Sequence, residues 1–207
     1  MMRILAVSDE AVERLYSSRV TENFPGIEAI IGCGDLPKYY LDFLGSVYNL
    51  SVLFVPGNHD DYTAGAVAEP EQVGDNIDGQ VIEYKGLTFA GLGGSILYNR
   101  CSANQYTQKE MDYKTRKLML KVLVHRFKTG RQIDVFVTHS PPFGIHDDPN
   151  DPAHIGFKAF NGFIRLVKPR FMLHGHTIFY DQNIKNFTTL KFSTRIVNIY
   201  PYRVLEI

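Results

Sequence analysis

Apolar positions in this chain gather into short unbroken runs, each ending in small or polar residues. "RILAVSD", "EAIIGCGD", "SVLFVPGNHD", "DVFVTHSPP" and "RFMLHGHT" all have this form. A run without polar alternation predicts a strand covered on both faces. Stretches with helical spacing lie between them. One is predicted over roughly Val12 to Thr21 and a second after Pro37. The longest opens at "TQKE", where Thr107 and Glu110 have capping-box spacing, and ends near Gly130. "FKAFNGFIRLVK" gives a fourth, stopped by Pro169. Alternation of strand and helix predicts an α/β layered fold.

Two segments break that alternation. "QVIEYKGLTFAGLGGS" reads as a hairpin turning at Lys85-Gly86, and the tail "FTTLKFSTRIVNIYPYRVLEI" as two or three antiparallel strands. The sheets are therefore expected to be mixed. With no repeat, low-complexity tract or linker, residues 1–207 read as a single domain.

Composition narrows the function classes. Lys plus Arg equals Asp plus Glu at 22 each. That balance gives no support to bulk electrostatic binding of nucleic acid or of an anionic membrane, though it leaves local patches open. The opening apolar run is too short for a signal peptide or a membrane span, so a cytoplasmic protein is expected. Cys33 and Cys101 lie far apart without CxxC spacing, which indicates neither a disulfide framework nor a zinc ribbon. "GLGGS" lacks the lysine of a phosphate-binding loop. The basic residues of "YKTRKLMLKVLVHRFKTGR" read as the solvated face of the long helix.

The strand ends carry the chemistry. They hold Asp9, Gly34-Asp35, Gly57-Asn58-His59-Asp60, His139 and Gly175-His176. In an α/β fold, loops at the carboxyl ends of strands line one crevice. Two carboxylates, an amide and several imidazoles there suit Mn, Fe or Zn better than calcium or magnesium. A carboxylate between paired ions can bridge them, and such ions activate water and clamp a phosphoryl group. Each residue alone has a plainer role: Asp after Gly closes turns or caps helices, Asn58 fits a turn, and His139 fits a satisfied strand end. The joint occurrence, in order and each at a strand end, favours a site.

The ordered motifs resemble those of the calcineurin-like metallophosphoesterases, from Ile4 to about Thr177. "GCGDLP" is similar to the family's GD motif, "VPGNHD" to GNHD, "VTHSPP" to its third block and "HGHT" to most of GHxH. The resemblance implies a four-layer α-β-β-α sandwich with two mixed sheets and a phosphate-ester substrate. It implies that Asp35 bridges two metals and that Asn58, His139 and His176 complete the second site. His59 then faces the scissile phosphate, with Asp60 orienting its ring. His174 has two readings, a rim residue or a strand-end histidine bonded to backbone. His146 and His154, in "PPFGIHDDPNDPAHIG", would overhang the crevice and contact substrate.

The pattern departs from the family at one metal position. The histidine of the family's first Asp-x-His motif is Ala11 here, and the last histidine of GHxH is Ile178. Both serve the same ion in the family pattern, leaving it Asp9 and the shared Asp35. That position is expected to be weakly bound, empty, or rebuilt by Glu10 or by a residue arriving from elsewhere in the chain. The alternative to a phosphoesterase with one strong metal site is a protein that keeps the fold as a binding or scaffold module. Retention of His59 with Asp60 favours the enzyme.

Overall fold

The computed structural model describes residues 1–60, 74–99, 103–178 and 187–207. Cys101 lies outside these residues. All five apolar runs form strands: β1 (Arg3–Val7), β2 (Ala29–Gly32), β3 (Val52–Phe54), β9 (Val135–Thr138) and β10 (Phe171–His174). The remaining strands are β4 (Asp75–Asn76), β5 (Val81–Tyr84), β6 (Leu87–Leu92), β7 (Ser95–Ile96), β8 (Gln105–Tyr106), β11 (Thr188–Lys191), β12 (Thr194–Asn198) and β13 (Tyr202–Glu206).

One sheet has the order β13-β1-β2-β3-β4 and the other β11-β12-β10-β9-β6-β5, with β7 and β8 forming a separate pair. In the first sheet β1, β2 and β3 run parallel while β13 is antiparallel to β1. In the second, β6, β9, β10 and β12 run parallel while β5 and β11 are antiparallel edges. Both sheets are mixed, as expected.

Alternation along each strand explains the layering, because successive side chains leave opposite faces of a sheet. Ile4 and Ala6 of β1 meet Val135, Val137 and Leu173 in the core between the sheets. Leu5 and Val7, the intervening residues, pack instead against Tyr40, Leu41 and Leu44. Those three belong to α2 (Lys38–Tyr48), which follows Pro37. On the other outer face, Phe136 and Met172 pack with Met111 and Leu118 of α3 (Gln108–Thr129) and with Phe160 and Phe163 of α4 (Lys158–Val167). Since both sheet faces are apolar, a one-residue slip would exchange the two packed sets, so their shapes fix the register.

The turn chemistry follows the sequence. Lys85 and Gly86 both have positive φ, as a two-residue hairpin requires. Thr107 caps α3 in a complete capping box with Glu110, and Gly130 closes it in the left-handed conformation.

One expectation is corrected. Val12 to Thr21 does not form a continuous helix; only α1 (Val20–Asn23) is helical there. The Ser17 hydroxyl accepts from the Arg19 amide at 3.3 Å, a local bond that competes with helical pairing. The tail forms antiparallel pairings as expected, β11 with β12 in the second sheet, while β13 crosses to pair antiparallel with β1 in the first.

Candidate metal centre

The sheets bring their carboxyl-terminal loops together, and the backbone there is unusual. Asp9, Asp35 and His176 have φ of 65°, 56° and 66°. A left-handed conformation costs a non-glycine residue about 1–2 kcal/mol, so packing must hold three such residues at one place. Strain of this kind gathers at functional sites. The turn at each strand end folds the side chain back toward its neighbours.

Three side chains from these loops converge. One carboxylate oxygen of Asp35 and one ring nitrogen each of His139 and His176 lie within 4.8 Å of one another. Nε2 of His139 stands 3.3 Å from Oδ2 of Asp35 and 3.2 Å from Oδ1 of Asn58. Its Nδ1 is 2.8 Å from the Cys33 carbonyl, so Nδ1 carries the proton and donates to it. Nε2 of His176 similarly meets the Ala153 carbonyl at 2.8 Å, so Nδ1 is the nitrogen that could offer a lone pair to a metal. A carbonyl on the far nitrogen is the usual device that fixes a metal-ligating imidazole.

The electrostatics point the same way. In neutral His139 the Nε2 lone pair would face two oxygen lone pairs, an arrangement that calls for a cation between them. Burial works against charge on His139, yet Asp35 outweighs it and pushes the imidazole up to about 9. Burial raises the Asp35 carboxyl, but the His139 charge more than offsets it and holds it below its ordinary value. Burial, reinforced by His139, drives His176 down to about 3, so it stays neutral with a lone pair to offer. One amide oxygen, one carboxylate and two imidazoles are a donor set suited to Mn, Fe or Zn.

Asp60 has a different task from the expected one. Its Oδ2 accepts the amides of Asp35 and Gly57 at 2.7 and 2.8 Å, and its Oδ1 accepts that of Leu36 at 3.1 Å. It therefore ties the GD loop to the GNHD loop, and among the described residues its carboxylate bonds backbone rather than the His59 ring. His59 is exposed, and its amide donates to Oδ1 of Asp35 at 2.7 Å. Close approach also fixes a glycine: a Cβ on Gly57 would collide with the Asp35 carboxylate.

Asp9 is not one of the converging trio but adjoins it, and the charges of His139 and Asp35 act on its carboxylate. Both of its oxygens face the His176 amide, at 3.1 and 3.0 Å, and a Cβ on Gly175 would strike it and Ser8. Burial raises its carboxyl above the ordinary value. Glu10 is exposed and accepts from the Tyr200 hydroxyl at 2.8 Å, away from Asp9. Ala11 and Ile178 contribute no ligand atom.

The remaining histidines divide. His174 is fully buried, with Nδ1 3.1 Å from the Gly175 carbonyl and Nε2 2.9 Å from Nδ1 of His146. It does not line a rim, being fully buried with both ring nitrogens engaged. Nε2 of His146 meets the Thr189 hydroxyl at 3.0 Å. Burial, then the neighbouring His146, keeps His174 well below its ordinary value and neutral. His154 is half-buried, 2.7 Å from Asp151, with its ring 5.0 Å from that of His176.

Several contributors carried no sequence signal. The Ala153 carbonyl is backbone and invisible in a side-chain pattern. The Tyr98 hydroxyl accepts from Asn58 Nδ2 at 3.1 Å, fixing which way the amide points. Asn104 donates to the carbonyls of Gly57 and Asp60, bracing the GNHD turn.

Comparison with known proteins bears on the family and the fold. The sequence profile of the family described as metallophosphoesterase, calcineurin superfamily, matches residues 34–188. The uncharacterized protein MJ1162 of Methanocaldococcus jannaschii is 27% identical over 186 residues, covering 84% of this chain and 79% of that protein. The crystal structure of TT1561 of Thermus thermophilus superposes with a TM-score of 0.61 at 18% identity, covering 96% of this chain and 88% of the other. The likeness to TT1561 extends to the fold.

Proposed function

Because the chain belongs to the calcineurin superfamily of metallophosphoesterases, we propose that it hydrolyses a phosphate ester at a single firmly held ion bound by Asp35, Asn58, His139 and His176. The observation that carries this reading is the convergence of His139 Nε2, Asp35 Oδ2 and Asn58 Oδ1. These atoms repel one another unless a proton or a metal ion lies among them.

When bound, the ion supplies a polarised phosphoryl oxygen and an acidified water at neutral pH. The chain's own groups do the rest. The carbonyls of Cys33 and Ala153 hold the two imidazoles in their ligating tautomers. Asp60 keeps the GD and GNHD loops in register. His59, exposed at the mouth, presents a ring N–H to the leaving oxygen and can give it that proton.

The engagement of Asp9 with the His176 amide supports a modified centre. In this reading Asp9 positions a ligand instead of serving a second ion, which accords with Ala11 and Ile178 replacing the family's histidines. The test is elemental analysis of protein purified without chelator, alongside hydrolysis of p-nitrophenyl phosphate and its diester. One ion of Mn, Fe or Zn per chain, with turnover that Asp35→Asn abolishes, is the expected result. Firm metal binding with no hydrolysis of any ester would favour the binding-module alternative.

A further inference from the structure

Helix α3 carries a second apolar stripe, exposed on the side away from the sheet. At 3.6 residues per turn, Met111, Thr115, Leu118 and Val122 share one side, and all four are buried against the second sheet. The opposite side presents Tyr113, Leu120, Val124 and Phe127, and these are exposed, Leu120 by 64% and Phe127 by 93%. Leu123 at the margin shares a shallow recess with Leu166 of α4, itself 62% exposed, beside Arg126 and Arg131. A contiguous apolar patch of this kind marks an interaction surface.

The margins of the stripe are cationic. Lys109, Lys117 and Lys128 flank it, on a helix with seven Lys and Arg against two carboxylates. Of the seven, Arg116 pairs with Asp112 and Lys114 with Asp78. Both carboxylates are engaged, Asp112 with Arg116 at 2.9 Å and Glu110 in the capping box. The chain as a whole is neutral, so this is local segregation of charge.

These features select one occupant. A second copy would bring the same cationic margins face to face. A peptide ligand docks in a groove, whereas this stripe crowns a helix of the outer layer. A polyanion without an apolar interior would leave Leu120, Val124 and Phe127 in water. An anionic bilayer offers both parts, since amphipathic helices with basic flanks sink an apolar face to the acyl boundary.

We propose that the outer face of α3 rests on an anionic lipid surface, with Leu120, Val124 and Phe127 entering the interface and Lys117 and Lys128 meeting headgroups. This is surface docking; among the described residues no helix is long and apolar enough to cross a membrane.

Vesicle flotation tests it. The full chain should float with vesicles of phosphatidylcholine plus phosphatidylglycerol and not with phosphatidylcholine alone. The double change Leu120→Gln with Phe127→Gln should weaken binding at least about tenfold, from the apolar area lost. Lys117→Gln with Lys128→Gln should cost roughly fivefold per charge and blunt the salt sensitivity. Asp35→Asn should float like the parent, which separates docking from capture of a lipid phosphate at the metal centre. Indifference to lipid charge, or unchanged binding by the Leu120→Gln, Phe127→Gln protein, would overturn the proposal. So would a dimer that this variant dissolves while vesicles are ignored.

Discussion

Nε2 of His139 lies 3.3 Å from Oδ2 of Asp35 while its Nδ1 is committed to the Cys33 carbonyl. Proton and metal therefore compete for one atom. With no ion bound, the folded imidazole sits at about 9 against an ordinary 6.5. Its contribution to stability is fully present below pH 6.5 and is lost as pH rises through 9. Metal binding displaces the proton, so affinity should rise over the same window as binding becomes easier. Calorimetric titrations of Mn²⁺ or Zn²⁺ at several pH values should show proton release that fades near pH 9. Affinity flat across that range would mean that His139 is not a ligand.

His59 is exposed, and its amide, not its ring, is what bonds Asp35. His59→Ala should therefore lower turnover by roughly a hundredfold or more and leave metal content almost unchanged. Parallel assays of rate and of metal per chain check this. Equal losses in both would assign its ring to the coordination shell.

Asp60 accepts three backbone amides from two loops. Asp60→Ala leaves those donors buried and unmatched, and should destabilise the fold by about 3 kcal/mol or more. Asp60→Asn keeps one acceptor oxygen and should lose less. Urea midpoints of the two variants give the comparison. An unaltered midpoint for Asp60→Ala would remove the tether from the account.

The Asp9 carboxylate holds the His176 amide through both oxygens. Asp9→Asn retains an acceptor there and should keep metal occupancy close to that of the parent, whereas Asp9→Ala should lower it. Ala11→His combined with Ile178→His adds the two nitrogen donors that the first position lacks, and nitrogen ligands hold Mn, Fe and Zn better than water does. Elemental analysis should then find more metal per chain, with either single change doing much less. A folded double variant with the parent's stoichiometry would mean that the turn anchored by Asp9 no longer has room for a second ion.

The capping box of α3 should be visible in acid. The amide and hydroxyl of Thr107 hold the exposed Glu110 carboxyl below its ordinary 4.5. Its contribution is present above that value and is lost as pH falls through the lowered one. Glu110→Gln keeps an acceptor but removes the titration, so the two proteins should diverge in melting temperature above pH 4.5 and converge below it. Parallel melting curves at every pH would contradict the assignment.

The five strands, the long capped helix and the Lys85-Gly86 hairpin were legible in the chain because local rules decide them. Continuous apolar runs must be covered on both faces, Thr107 and Glu110 satisfy a helix end by themselves, and positive φ at adjacent residues suits a tight turn. The candidate ligands were legible for a related reason, since each stands where a buried strand ends in a polar residue. Tertiary structure decided what those residues do. Asp60 reaches backbone donors 24 and 25 residues away, and Asp9 one 167 residues away. Cys33 and Ala153 act through carbonyls that every residue possesses. The stripe on α3 became meaningful only when its opposite side was found packed, because a helix apolar on two sides does not reveal from sequence which one the core will take. Contacts between distant segments depend on how the sheets pack, and no local pattern encodes that.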